Sequence, residues 1–222
     1  MKALLPALRG VGRAVLTQGR LAEAEEAYVR ALELDEEALR PDDPARGLTL
    51  KGLASAYEAQ GKYAAAQPLY ESALEVEEKA LGPDSGPVAE TLLQLASLYG
   101  RLGRFVEANA LMGRLVEQAE AREGLESLAV ADVVERRAKI EADRGDYEKA
   151  EKSYQQALRI RERALPAGHP AIASARMGLA GLALTRGKPD EAQKLYEEAL
   201  EAMTEASGEA KLADGVGQAG AG

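Results

Sequence analysis

The stretch Gly61-Lys62-Tyr63-Ala64-Ala65-Ala66-Gln67-Pro68-Leu69-Tyr70-Glu71-Ser72-Ala73-Leu74 decides how this chain folds, because its skeleton returns at a fixed distance. Glycine recurs at Gly19, Gly61, Gly103, Gly145 and Gly187, each 42 residues from the last. Five residues after each stands an alanine (Ala24, Ala66, Ala108, Ala150, Ala192), and nine after each a large side chain (Tyr28, Tyr70, Met112, Tyr154, Tyr196). A register held five times at tens of residues is the mark of stacked supersecondary units, each packing mainly on its neighbours.

Working outward, each glycine joins two helical patterns. Leu4, Leu5, Leu8, Val11, Val15 and Leu16 share one side of a helix over Lys2 to Gln18, and Ala24, Ala27, Tyr28, Ala31 and Leu32 stripe a second over Leu21 to Leu39. Arg40-Pro-Asp-Asp-Pro44 stops that helix and starts the next, since proline lacks a donor yet suits a first turn. The same reading predicts helices over Pro44 to Gln60, Tyr63 to Leu81, Pro87 to Leu102 and Phe105 to Arg122. The fourth unit lacks the prolines and leaves Ser127 as the cap for a helix to Arg144. Tyr147 to Leu165, Pro170 to Thr185 and Pro189 to Glu205 complete the series. The expected architecture is all-α: ten helices in five units, at about 2–43, 44–85, 86–127, 128–169 and 170–207. The glycine-rich residues 208–222 read as a disordered tail.

Composition narrows the function. The net charge of -9 and pI near 4.9 argue against nucleic acid or an anionic membrane as partner, since both need a basic face. There is no cysteine, so disulfides, thiolate catalysis and thiolate metal sites are excluded. The apolar run from Met1 meets Arg9 too soon for a signal sequence, and no segment approaches the roughly 20 apolar residues that span a bilayer. We therefore expect a cytoplasmic protein without a membrane or nucleic-acid partner.

Leu53-Ala54-x-x-Tyr57 followed by Gly61, Ala66, Tyr70 and Ala73, with Leu95-Ala96-x-x-Tyr99 repeating its first half, resembles the tetratricopeptide repeat (TPR). The 42-residue period and the joints Leu81-Gly-Pro-Asp and Gly168-His-Pro-Ala resemble the variant found in kinesin light chains. The resemblance covers residues 2 to 207. It implies a right-handed α-solenoid whose concave face, lined by the first helix of each unit, binds a protein or peptide segment. The matching positions are Arg9, Arg13, Lys51, Ser55, Glu58, Glu90, Leu93, Ser97, Arg101, Asp132, Glu135, Lys139, Asp143 and Met177. Three cations against one anion in the first two units, and two against four in the next two, make a polarised groove the expectation, with a ligand's acidic end near Arg9, Arg13 and Lys51. Leu93 and Met177 are the expected apolar anchors. The sequence departs from the kinesin light chain pattern where Asn-Asn precedes Leu-Ala: those slots hold Lys51-Gly52, Leu93-Gln94, Glu135-Arg136 and Met177-Gly178.

Other motifs carry less. Gly215-Val-Gly217-Gln-Ala-Gly220 matches the dinucleotide fingerprint in letters but follows no strand. His169, the single histidine, has no ligand or catalytic set around it and reads as a helix cap. Arg137 and Glu141 replace core residues of the fourth unit and, four apart, suit an ion pair. With no cofactor, metal or catalytic constellation in sight, the chain reads as a non-enzymatic adaptor, or as a scaffold that forms a homo-oligomer by stacking end to end through uncapped terminal units.

Overall fold

In a computed structural model, the backbone is described over residues 4–219 and the side chains over residues 4–204. The described chain is helical, with no strand: α1 (Leu4–Thr17), α2 (Leu21–Ala38), α3 (Pro44–Ala59), α4 (Tyr63–Leu81), α5 (Gly86–Arg101), α6 (Phe105–Glu123), α7 (Leu128–Arg144), α8 (Tyr147–Ala164), α9 (Pro170–Thr185) and α10 (Pro189–Ala219). The architecture is all-α, five helical hairpins in succession. α10 continues past Glu205, where the last helix was expected to end; strong helix formers at Glu209 to Ala213 favour the continuation. The expected glycine-rich tail and the Gly215 to Gly220 motif fall where side chains lie outside the described residues.

The recurring glycine has a defined task. At all five positions φ is positive, from +72° to +90°, a region that side chains with a Cβ rarely adopt. Each closes a helix end in the same way: the glycine amide bonds three residues back, and the next amide bonds five back, as in Gly61 N to Glu58 O (2.9 Å) and Lys62 N to Tyr57 O (2.8 Å). This pairing satisfies the last carbonyls of one helix and reverses the chain into the next. Three of the four opposite joints use side-chain caps, and Ser85 before α5 does not. Asp43 accepts from Ala45 N at 2.9 Å ahead of Pro44, Ser127 from Val130 N at 3.3 Å, and His169 Nδ1 from Ala171 N at 3.1 Å ahead of Pro170. The cap roles read for Ser127 and His169 are those observed.

The chain divides into two compact units, residues 1–111 and 112–222. In the first, α1 pairs with α2 and α3 with α4, α2 packs on α3, and α4 on α5. Its core includes Val15, Ala24, Tyr28, Leu53 and Ala56. In the second, α7 pairs with α8 and α9 with α10, and α8 packs on α9. Val116, Ala119, Val130, Ala131, Val134, Ala157 and Ile160 form one core cluster there, and Ala138, Ala150, Tyr154 and Leu182 another. All five alanines of the 42-residue register are fully buried, the small seam across which the helices approach.

The tyrosines four residues beyond those alanines fill the space beside the seam. A Cβ on Gly52 would lie 2.1 Å from the Tyr28 ring, and one on Gly178 would lie 2.4 Å from the Tyr154 ring. Two of the slots where kinesin light chain repeats carry asparagine, Gly52 and Gly178, are thus sockets for the tyrosine of the preceding hairpin, and the absence of a Cβ keeps them open.

Candidate functional site

The first helix of each hairpin supplies the candidate surface, and the structure divides its residues into engaged and free. In the first unit, Arg9 of α1 donates to Ala45 O at 2.6 Å and lies 3.9 Å from Asp35, a fully buried carboxylate on α2. Lys51 of α3 is buried, with Nζ 3.0 Å from Glu77 of α4 and 2.8 Å from Glu90 of α5. Ser55 Oγ is 2.9 Å from Tyr70 OH, which donates to Glu58 at 3.2 Å. Arg101 Nε lies 3.3 Å from Glu58, and its guanidinium covers the Tyr63 ring at 5.7 Å. Leu93 and Ser97 of α5 are half-buried, whereas Arg13 is exposed without an ion-pair partner among the described residues.

In the second unit, Arg161 of α8 is buried and takes both acidic positions of α7: Nη2 meets Asp132 at 2.7 Å and Nη1 meets Glu135 at 2.5 Å. Arg161 Nη1 also donates to Ala171 O at 3.0 Å, and Ser174 donates to Glu135 at 2.9 Å. Arg136 and Lys139, one turn along α7, are exposed and form no ion pair among the described residues. Asp143 and Met177 are exposed as well. Arg137 Nε sits 3.7 Å from Glu141, to which Ser153 donates at 2.8 Å, the ion pair read from their spacing.

One slot explains most of these pairings. Arg9, Lys51, Leu93, Glu135 and Met177 occupy one register position on the first helices; Asp35, Glu77, Ala119 and Arg161 occupy one on the second. The slot holds cation facing anion in hairpins one and two and anion facing cation in hairpin four; in the sequence of hairpin three the two positions are apolar. Arg9, Lys51 and Glu135, three of the charges that suggested a polarised groove, are therefore spent within the fold. The recurrence of charge at 35, 77 and 161 is present in the sequence, but only hairpin geometry shows which helix position faces it.

Burial governs the titration of Asp35. Its carboxyl is pushed above the ordinary aspartate range by desolvation, which outweighs the nearby Thr49 hydroxyl and the Arg9 and Arg46 guanidinia; neither of its oxygens has a hydrogen-bond partner among the described residues. Burial also raises Tyr28, Tyr70, Tyr99 and Tyr154. Tyr99 is pushed up to about 12 by burial and by its bond to Glu71 at 2.7 Å, and Tyr154 is raised by burial, with Glu135 and Asp143 adding to it.

Asp132, Glu135, Arg136, Lys139, Tyr154 and Arg161 line an open cleft between α7 and α8. Arg161 bonds both carboxylates and offsets one of their two charges; with the exposed Arg136 and Lys139, which form no ion pair among the described residues, the cleft carries one net positive charge beside an aromatic wall. Arg136, Tyr154 and Arg161 had not been singled out from the sequence as lining it. Among the described residues no group of three or more His, Asp or Glu side chains is placed to hold a metal ion, and no helix is long and apolar enough to cross a membrane.

Five helical hairpins with a glycine reversal, an alanine seam and an inter-hairpin tyrosine define a helical-repeat protein of the solenoid class. The tetratricopeptide repeat family profile matches residues 4–76, 48–121 and 127–205, and the chain belongs to that family. Among solved structures it is similar to a Podosopora anserina protein of nearly identical TPR-like repeats assigned to kinesin light chain, with 22% identity, 93% of this chain and 98% of that one covered, and a TM-score of 0.81. It is also similar to BtubC (BKLC) from P. vanneervenii, with 23% identity, 93% and 82% covered, and a TM-score of 0.76. A third is a Rap protein complexed with competence and sporulation factor, with 18% identity, 87% and 52% covered, and a TM-score of 0.65. Among curated proteins none matches this sequence.

Proposed function

We propose that this protein is a non-enzymatic adaptor of the cytoplasm that holds a segment of another protein against the first helices of its hairpins. The observation that carries the reading is the cleft between α7 and α8, where Arg136 and Lys139 stand exposed, without an ion pair among the described residues, while Arg161 engages the neighbouring Asp132 and Glu135, so that three cations face two anions. Two free cations beside the Tyr154 ring suit a peptide carboxylate, from an Asp or Glu side chain or a chain terminus. Met177, exposed on α9, offers an apolar anchor on the following hairpin. In the first unit the exposed Arg13, with half-buried Leu93 and Ser97, forms the corresponding open strip. The Rap protein, which shares the fold, is known in complex with a factor it binds, and this supports the class of activity.

Selection from a displayed random-peptide library against the full chain tests the reading. Enriched sequences should carry acidic residues, and their affinity should fall with ionic strength because exposed cations are screened. Failure to enrich any peptide, or enrichment of sequences without acidic groups, would count against it.

A further inference from the structure

The faces at which hairpins meet inside each unit recur, uncovered, on α1 and α10. Tyr28 and Tyr154 are 5% and 8% exposed, each packed against a glycine of the following hairpin; Tyr196, in the same register on α10, is 40% exposed. Its neighbours along that face, Leu200 and Met203, are also exposed. On α1 the complementary pattern holds. Leu4 is 51% exposed where Val88, Val130 and Ile172 are at most 3%, and Val11 is 53% exposed where Leu53 and Leu95 are at most 3%. Gly10 occupies the register of Gly52 and Gly178, yet a Cβ there would meet nothing within 4 Å: the socket is open.

The geometry points to a second copy of this chain as the occupant of both faces, joined head to tail with Tyr196 of one copy seated over Gly10 of the next. The contact continues an interface the fold already uses: knob and socket, with Leu4 and Val11 receiving Leu200 and Met203. The polar edge of the junction agrees. Gln60 donates to Glu25 at 2.9 Å between hairpins one and two, and Arg186 pairs with Glu151 between hairpins four and five. The same rung between copies would join Gln18 to Gln193, two neutral amides that can pair without charge conflict. The contact is heterologous, so association proceeds beyond a symmetric dimer, to a ring where the rotation between copies closes and to an open series where it does not. It uses α1 and α10 and is independent of the peptide cleft.

Sedimentation of the full chain up to about 1 mM, where weak association becomes measurable, is expected to show an average mass rising with concentration above the 23.5 kDa chain. Gly10→Leu puts a side chain into the socket, where a Cβ meets nothing within 4 Å, and Tyr196→Ser removes the knob; each alone should stay monomeric with an unchanged helical circular dichroism spectrum. Mixed together, the intact α10 face of the first variant meets the intact α1 face of the second, and the mixture should stop at a dimer. A wild-type chain that stays monomeric throughout, or association that survives both substitutions, would overturn the inference.

Discussion

Lys51 Nζ lies 3.0 Å from Glu77 Oε1, and both side chains are withdrawn from solvent between α3 and α4. The equivalent positions of the next hairpin are Leu93 and Ala119. The same register thus takes an ion pair in one hairpin and two apolar residues in the next. A buried charge that has lost its partner keeps its full desolvation penalty.

Lys51→Leu should accordingly destabilise the protein by about 3–5 kcal/mol, because Glu77 would remain buried without its partner. The double variant Lys51→Leu/Glu77→Ala, which copies hairpin three, should recover most of that loss. Urea denaturation of the two single variants and the double gives the coupling; simple additivity would show that the pair does not act as a unit.

Two glycine substitutions should have opposite signs. Gly52→Ala places a methyl 2.1 Å from the Tyr28 ring and should cost about 1–3 kcal/mol through overpacking. Gly10→Ala meets nothing within 4 Å inside α1 and should stabilise by about 0.5–1 kcal/mol through helix propensity. Thermal unfolding at equal, low protein concentration distinguishes them, and equal effects would refute the knob-and-socket account.

Asp35 gives a pH dependence with a definite sign. Its carboxyl is raised above the ordinary value by burial, so the folded state holds the proton more tightly than the unfolded chain. Its contribution is most favourable below the unfolded aspartate value and is lost as pH rises through the folded one. Asp35→Asn should thus match the parent at low pH and become relatively more stable as pH climbs through that window. A stability difference that stays flat with pH would contradict it.

Much of the fold is legible in the sequence because it rests on local chemistry repeated five times. The glycines that reverse the chain, Pro44 and Pro170 at helix starts, and the Ser127 and His169 caps act on residues a few positions away. The candidate site was legible only in part. Arg9 and Lys51 carry the right charge on the right helix, but their partners stand 26 residues on, at Asp35 and Glu77, a separation fixed by helix length and crossing rather than by local propensity. Gly52 and Gly178, which looked like absent asparagines, are explained by rings belonging to the hairpin before. The extension of α10 to Ala219 was hidden because glycines after Gly215 masked the helix-forming run that precedes them.

The exposed pair on α7 tests the central claim most directly. Isothermal titration of the full chain with the best acidic peptide from the library selection should be compared with the Arg136→Gln/Lys139→Gln variant, which removes two exposed charges and no ion pair among the described residues. The account expects affinity to drop by at least about tenfold, equivalent to about 1.4 kcal/mol, with helicity and thermal midpoint unchanged. Unaltered binding by that variant would contradict the claim that these two cations hold the partner chain.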